Sequence, residues 1–156
     1  MKTLFCAALA AGVLLAAAPP DPVAWTVETA PPKAVKAGAR FNVKLVAKIQ
    51  DGWHMYGLKQ VADGPIPTRI WIGDGPVQLA AAIQATEPQT LMDPSFNLEV
   101  QIYEGEAAFT LPLRLAAGTA GGAQRIVVNA SYQTCDNKIC LPPKTVKFEV
   151  PVNVAK

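Results

Sequence analysis

The sequence predicts an all-β domain, an immunoglobulin-like β-sandwich of about seven to nine short antiparallel strands. Three observations predict it. Apolar residues alternate with polar ones at period two in several separate runs. Gly, Pro and Asp-Gly turn signals part those runs at short intervals. The fourteen prolines fall mostly in these joints or at strand edges, where a missing N–H is tolerated.

The chain opens on a targeting pattern over residues 1–18. Lys2 gives a positive start, Leu4 to Ala18 is an apolar and small-residue run, and Ala16-Ala17-Ala18 offers a cleavage site. A membrane-spanning helix needs about 20 apolar residues, and this run stops short at Pro19-Pro20. Residues 1–18 are therefore expected to be a signal peptide that leaves with Cys6. Residues 19–156, about 138 in number, fit one domain with one core, and Pro19 to Pro22 reads as a loose tail. Two cysteines remain, an even number in an exported, oxidising setting. No second membrane segment follows, so a soluble product is expected; it is also expected to be a monomer.

The first strand candidate, Trp25 to Thr29, is among the weaker ones. Phe41, Val43, Leu45, Ala47 and Ile49 then alternate with mostly polar partners, the mark of a half-buried strand. Thr68 to Ile72 and Val77 to Thr86 are weaker, and Leu79 to Ala85 is alternatively a short helix because alanine favours one. Leu98-Val100-Ile102, Phe109 to Leu115, Ile126 to Tyr132 and Val146 to Val154 complete the set. Asp51-Gly52, Asp63-Gly64-Pro65, Gly73 to Pro76, Glu104-Gly105 and Gly118 to Gly122 supply turns between them.

The chemistry concentrates in YQTCDNKICLPP, Tyr132 to Pro143. Asp136-Asn137-Lys138 between Cys135 and Cys140 is turn chemistry, which predicts a hairpin with one sulfur on each arm. Facing residues of an antiparallel pair lie about 4.5–5.5 Å apart at Cα, within the reach of a disulfide. Such a pair opens and closes with little backbone movement. Two readings follow. In one the bond is a staple in an exported sandwich. In the other it is redox-active. Chain entropy gives about 2 kcal/mol for so small a loop, less than a long-range bridge contributes. Pro142 and Pro143 also interrupt the strand edge just beyond the second sulfur, leaving room for an exchange partner.

YQTCDNKICLPPKTVKFEVPV resembles the end of the amino-terminal periplasmic domain of the transmembrane disulfide reductase DsbD, with its aromatic, cysteine, turn, cysteine and Pro-Pro order. DGWHMYGLKQV, Asp51 to Val61, is similar to that family's strand ending in aromatics near the active site. MDPSFNLEVQIYEGE, Met92 to Glu106, is similar to the loop and strand that cap the cysteines. The resemblance implies a periplasmic protein-disulfide reductase component, with links to cytochrome c biogenesis. Electrons would arrive from a thioredoxin-fold partner and pass to oxidised periplasmic proteins, with no cofactor and no metal. It implies that Cys140 forms the mixed disulfide and Cys135 resolves it. Phe96 would cap the sulfurs, Asp93 would be an acidic neighbour, and Tyr56 with His54 or Trp53 would line the site. Two departures stand out: the cysteine spacing is one residue shorter than in the best-known member, and Pro94-Ser95 replaces an acidic run. The membrane and thioredoxin domains of the full reductase are not in this sequence.

Other classes fare worse. Lys and Arg number 14 against 12 Asp and Glu, with no basic block, which excludes a nucleic-acid binder. No Ser-His-Asp set, paired-carboxylate signature or phosphate loop is visible. A non-catalytic binding module with a structural disulfide is the main alternative. A copper-handling site of Cys135, Cys140, His54, Met55 and Met92 is a minor one, because those residues lack metal-site spacing. His54, the single histidine, reads either as a cation that lowers a cysteine pKa or as a packed strand residue.

Overall fold

The computed structural model describes residues 21–29, 31 and 34–155. The expected signal peptide, residues 1–18, lies outside the described residues, as do Pro19 and Pro20 of the expected tail. The described residues form thirteen strands and no helix.

The first sheet runs β1 (Val23–Thr29), β3 (Arg40–Ile49), β10 (Glu106–Leu115), β6 (Val77–Leu79), with β7 (Gln84–Ala85) also on β10. The second runs β2 (Ala34–Val35), β13 (Lys144–Val154), β11 (Gly122–Tyr132), β5 (Arg69–Ile72). A third, smaller sheet runs β12 (Thr134–Cys135), β4 (His54–Tyr56), β9 (Leu98–Tyr103), β8 (Gln89–Asp93).

Period-two patterning decides which residues the first two sheets bury against each other. Val43, Leu45 and Ala47 of β3, with Phe109, Leu111 and Leu113 of β10, meet Ile126, Val128 and Ala130 of β11 and Val150, Val152 and Val154 of β13 in one core. Trp25 on β1 stacks on Phe109 at 5.6 Å between ring centroids and reaches Tyr132 at 5.5 Å, tying the sheets together. The long ladders are unbroken: β10 pairs β3 from Glu106 to Arg114, and β11 pairs β13 from Gly122 to Tyr132. The architecture is the all-β, immunoglobulin-like sandwich that the alternation predicts.

Four details differ from expectation. The strand count exceeds about nine because short pieces such as β2, β7 and β12 count separately. The pairing of β13 with β2 is parallel rather than antiparallel. Leu79 to Ala85 is not a helix. The N–H groups of Ala80 and Thr86 bond the carbonyls of Pro112 and Ala108 on β10, so an open sheet edge overrides alanine's helix preference. Asp21 and Pro22 are tied down: Pro22 accepts from Gln50 N–H at 2.9 Å, and Asp21 pairs with Lys144 and accepts from the Tyr132 hydroxyl.

Candidate functional site

The third sheet divides its side chains between two cores. Met55 of β4 and Tyr103 of β9 turn into the main core. Tyr56, Val100, Ile102 and Cys135 gather in a second cluster, with Phe96, Leu91, Leu98 and Val61 packed against it. Thus alternation along one short strand, His54-Met55-Tyr56, sends the middle residue to the sandwich and Tyr56 to the sulfurs. The strand fits against β9 because Gly57 lies so close to Gln101 that a Cβ would come within 2.8 Å of the Gln101 Cβ. Gly57 N–H bonds Gln101 C=O at 2.7 Å, and the Thr68 hydroxyl bonds Tyr56 C=O at 2.6 Å.

Cys135 and Cys140 face each other across an antiparallel bridge and are joined by a disulfide, with Cα atoms 4.0 Å apart. The hairpin is closed by Asp136, whose Oδ1 accepts the N–H groups of both Lys138 and Ile139 at 2.7 Å. Those bonds, Ile139's first and then Lys138's, hold the Asp136 carboxyl below its ordinary range. The two cysteines meet different surroundings. Cys135 is 1% exposed, whereas Cys140 lies in the open.

Three of the expected lining residues converge on Cys135. The Tyr56 hydroxyl is 3.1 Å from its Sγ and donates to Asp93 Oδ2 at 2.7 Å. Asp93 closes β8 rather than standing in a loop, and it is 2% exposed. Its Oδ1 accepts Ser95 N–H at 2.7 Å and its carbonyl accepts Asn97 N–H at 2.7 Å, which folds the turn that carries Phe96. Asn97 sits at φ 52°, a region asparagine tolerates. The Phe96 ring meets Tyr56 edge-on, with centroids 6.2 Å apart. Burial first, then the hydrogen bond and charge of Asp93, push the Tyr56 pKa well above its ordinary value, so the hydroxyl keeps its proton.

His54 stands opposite Cys135 in the β12–β4 register and meets Tyr56 edge-on at 5.2 Å. Burial holds its pKa below 6.5, against the opposing charges of Asp93, Glu104 and Asp136, and its Nε2 has no hydrogen-bond partner among the described residues. Trp53 packs on the main core instead. The copper set is not brought together, since Met55 belongs to the main core, apart from Cys135 in the second.

Two contributors were not singled out from the sequence. Thr68 carries no local signal, because its partner Tyr56 lies twelve residues away in β4. Gln133 sits inside the cysteine motif: its Oε1 accepts Ile66 N–H at 3.0 Å and its Nε2 donates to Leu141 C=O at 3.4 Å. Beside it, Tyr132, Thr134, Leu141, Pro142 and Pro143 line a mostly apolar groove of about 240 Å³.

A β-sandwich that displays a hairpin disulfide between one buried and one exposed cysteine defines the class. The chain belongs to the family described as thiol:disulfide interchange protein DsbD, N-terminal, whose model matches residues 23–151. With the Cys135–Cys140 bond, it is a thiol–disulfide interchange domain. Among solved structures it is similar to the reduced DsbD N-terminal domain of Neisseria meningitidis, at 22% identity and a TM-score of 0.53, covering 75% of this chain and 82% of that one. It is also similar to the N-terminal periplasmic domain of ScsB from Proteus mirabilis, at 15% identity and a TM-score of 0.46. That alignment covers 85% of this chain and 45% of that one. No curated protein matches.

Proposed function

We propose that this domain works in the periplasm, after export by residues 1–18, and passes reducing equivalents from a thioredoxin-fold donor to oxidised proteins. The observation that carries the reading is the unequal exposure of the two cysteines. A donor thiolate reaches Cys140 Sγ, forms a bond to it and breaks the Cys135–Cys140 bond. The electron pair leaves on Cys135, which takes up a proton. The donor's second thiolate then attacks the mixed disulfide, leaving Cys140 as a thiolate that also gains a proton. Two electrons and two protons have entered, and the donor is a disulfide. The same steps in reverse reduce a target.

Each lining residue has a role in this reading. The Tyr56 hydroxyl is the polar group at the Cys135 sulfur, and it swings its proton toward the charge that develops there. Asp93 holds that hydroxyl in place. Phe96 covers the enclosed sulfur and excludes small thiols. The exposed Cys140 edge, ended by Pro142 and Pro143, admits a protein partner.

Trapping tests the reading. Cys135→Ala, with Cys140 free, is expected to accumulate a covalent complex with an oxidised thioredoxin-fold protein, and Cys140→Ala is expected to trap little. Trapping by neither variant, with a disulfide that resists reduction below about −300 mV, would replace this reading with a binding module held by a staple.

A further inference from the structure

We propose that Asp136 and Gln133 are positioning residues that keep Cys140 in register with Cys135 while the disulfide is open. The inference rests on the exchange reading above and names what makes the second half of exchange work. In the oxidised form a covalent bond fixes the two arms of the hairpin. In the mixed disulfide that bond is gone, and Cys135 must still find Cys140.

The main chain alone holds the Cys140 arm weakly. Among the described residues only two ladder bonds flank the cysteine pair, from Asp136 N–H to Ile139 C=O and from Leu141 N–H to Thr134 C=O, both 2.9 Å. Cys140 contributes neither its own N–H nor its C=O, as expected of a non-hydrogen-bonded pair. Pro142 and Pro143 have no N–H to give, and regular pairing resumes at Lys144 opposite Tyr132. Exposed Ile139 contributes little packing to the turn.

Side chains supply what the ladder lacks, one on each side of Cys140. Asp136 Oδ1 collects the Lys138 and Ile139 N–H groups and fixes the chain entering Cys140. Gln133 Nε2 bonds Leu141 C=O, fixing the chain leaving it, while its Oε1 is anchored by Ile66 N–H on a separate segment. The Gln133 carbonyl is itself held by Tyr56 N–H at 3.3 Å, beside the Cys135 site. None of these bonds uses a sulfur, so all survive reduction.

The step they serve is resolution. The Cys135 thiolate attacks Cys140 Sγ in line with the mixed disulfide; the Cys135–Cys140 bond forms and the Cys140–partner bond breaks. The electron pair leaves on the partner's sulfur, which takes a proton from solvent. The rate follows the effective concentration of one sulfur at the other, which is set by how well the arm is held.

The test equilibrates the exported chain, residues 19–156, which carries Cys135 and Cys140 without Cys6, with reduced and oxidised glutathione and follows amide exchange in the reduced form. Asp136→Ala is expected to lower the equilibrium constant for closing the bond about tenfold, since it removes two bonds to a charged acceptor. The mixed disulfide with glutathione should persist longer by a similar factor, and the Leu141 amide should lose protection in the reduced form. Asp136→Asn keeps an acceptor oxygen without its charge and is expected to recover part of all three readouts. Gln133→Ala should lower the constant about threefold. Gln133→Glu, which keeps the Ile66 bond but cannot donate to Leu141, should fall between Gln133→Ala and the unaltered chain. Unchanged constants in Asp136→Ala and Gln133→Ala, with glutathione still exchanging, would overturn the positioning role and leave the exchange reading intact. A disulfide that does not exchange with glutathione or any thioredoxin-fold protein would remove both.

Discussion

The body of the sandwich buries Phe109, Leu111, Val128 and Val150, side chains with no polar atom to satisfy. The cysteine sheet instead buries a hydroxyl, a carboxylate and a sulfur side by side, in Tyr56, Asp93 and Cys135. The first region rests on strands ten and eleven residues long. The second rests on strands as short as two and three residues and on individual side-chain bonds. Apolar area is non-directional and tolerates small shifts, whereas a buried polar network holds only while every member is paired. The domain thus separates the part that keeps it folded from the part that must change its bonding.

The largest effect tests that separation directly. Phe109 is fully buried, stacked on Trp25 and edge-on to Tyr103 at 5.5 Å. Phe109→Ala is expected to cost about 3–5 kcal/mol in urea unfolding. Removing the disulfide altogether, by Cys135→Ala with Cys140→Ala, should cost at most about 2 kcal/mol and leave one cooperative transition. Loss of cooperativity in the double variant would break the comparison and make the bond a structural staple.

A middle-sized effect lies within the cysteine sheet. Tyr56→Phe keeps the ring against Phe96 but strips Asp93 Oδ2 of its donor in a site closed to water. The expected cost in the oxidised form is about 1–3 kcal/mol, below that of Phe109→Ala. An unchanged unfolding midpoint would mean that the Asp93 carboxylate is satisfied without Tyr56, and that this region is no more a sealed network than the surface.

The same contrast governs what could be read before the structure. Long alternating runs such as Phe41 to Ile49 and Ile126 to Tyr132 are legible because burial on one face imposes period two. The cysteine hairpin is legible because its turn chemistry is local: Asp136 bonds atoms two and three residues away. Tyr56 and Asp93 stand 37 residues apart and Gln133 and Ile66 stand 67 apart, so the motif resemblance alone pointed to the first pair and nothing pointed to the second. The helix alternative for Leu79 to Ala85 misleads for the same reason, since the conformation there is set by the distant carbonyls of Pro112 and Ala108.

The smallest effect sharpens the comparison through pH. His54 belongs to the cysteine sheet and presents a buried Nε2 without a partner among the described residues. Burial holds its native pKa below 6.5, only partly offset by Asp93, Glu104 and Asp136. The unfolded chain titrates at the ordinary 6.5, so just below that pH it binds a proton the native state resists. Stability that is complete above 6.5 should therefore decline as pH falls toward the native pKa, and the His54 share should level off below it. His54→Gln, which does not titrate, should flatten this part of the profile, whereas Phe109→Ala should lower the whole curve and keep its slope. Equal slopes in His54→Gln and the unaltered chain would show that the imidazole is solvated in the native state. The cysteine sheet would then lose its claim to a closed interior at the residue facing Cys135 across the strands.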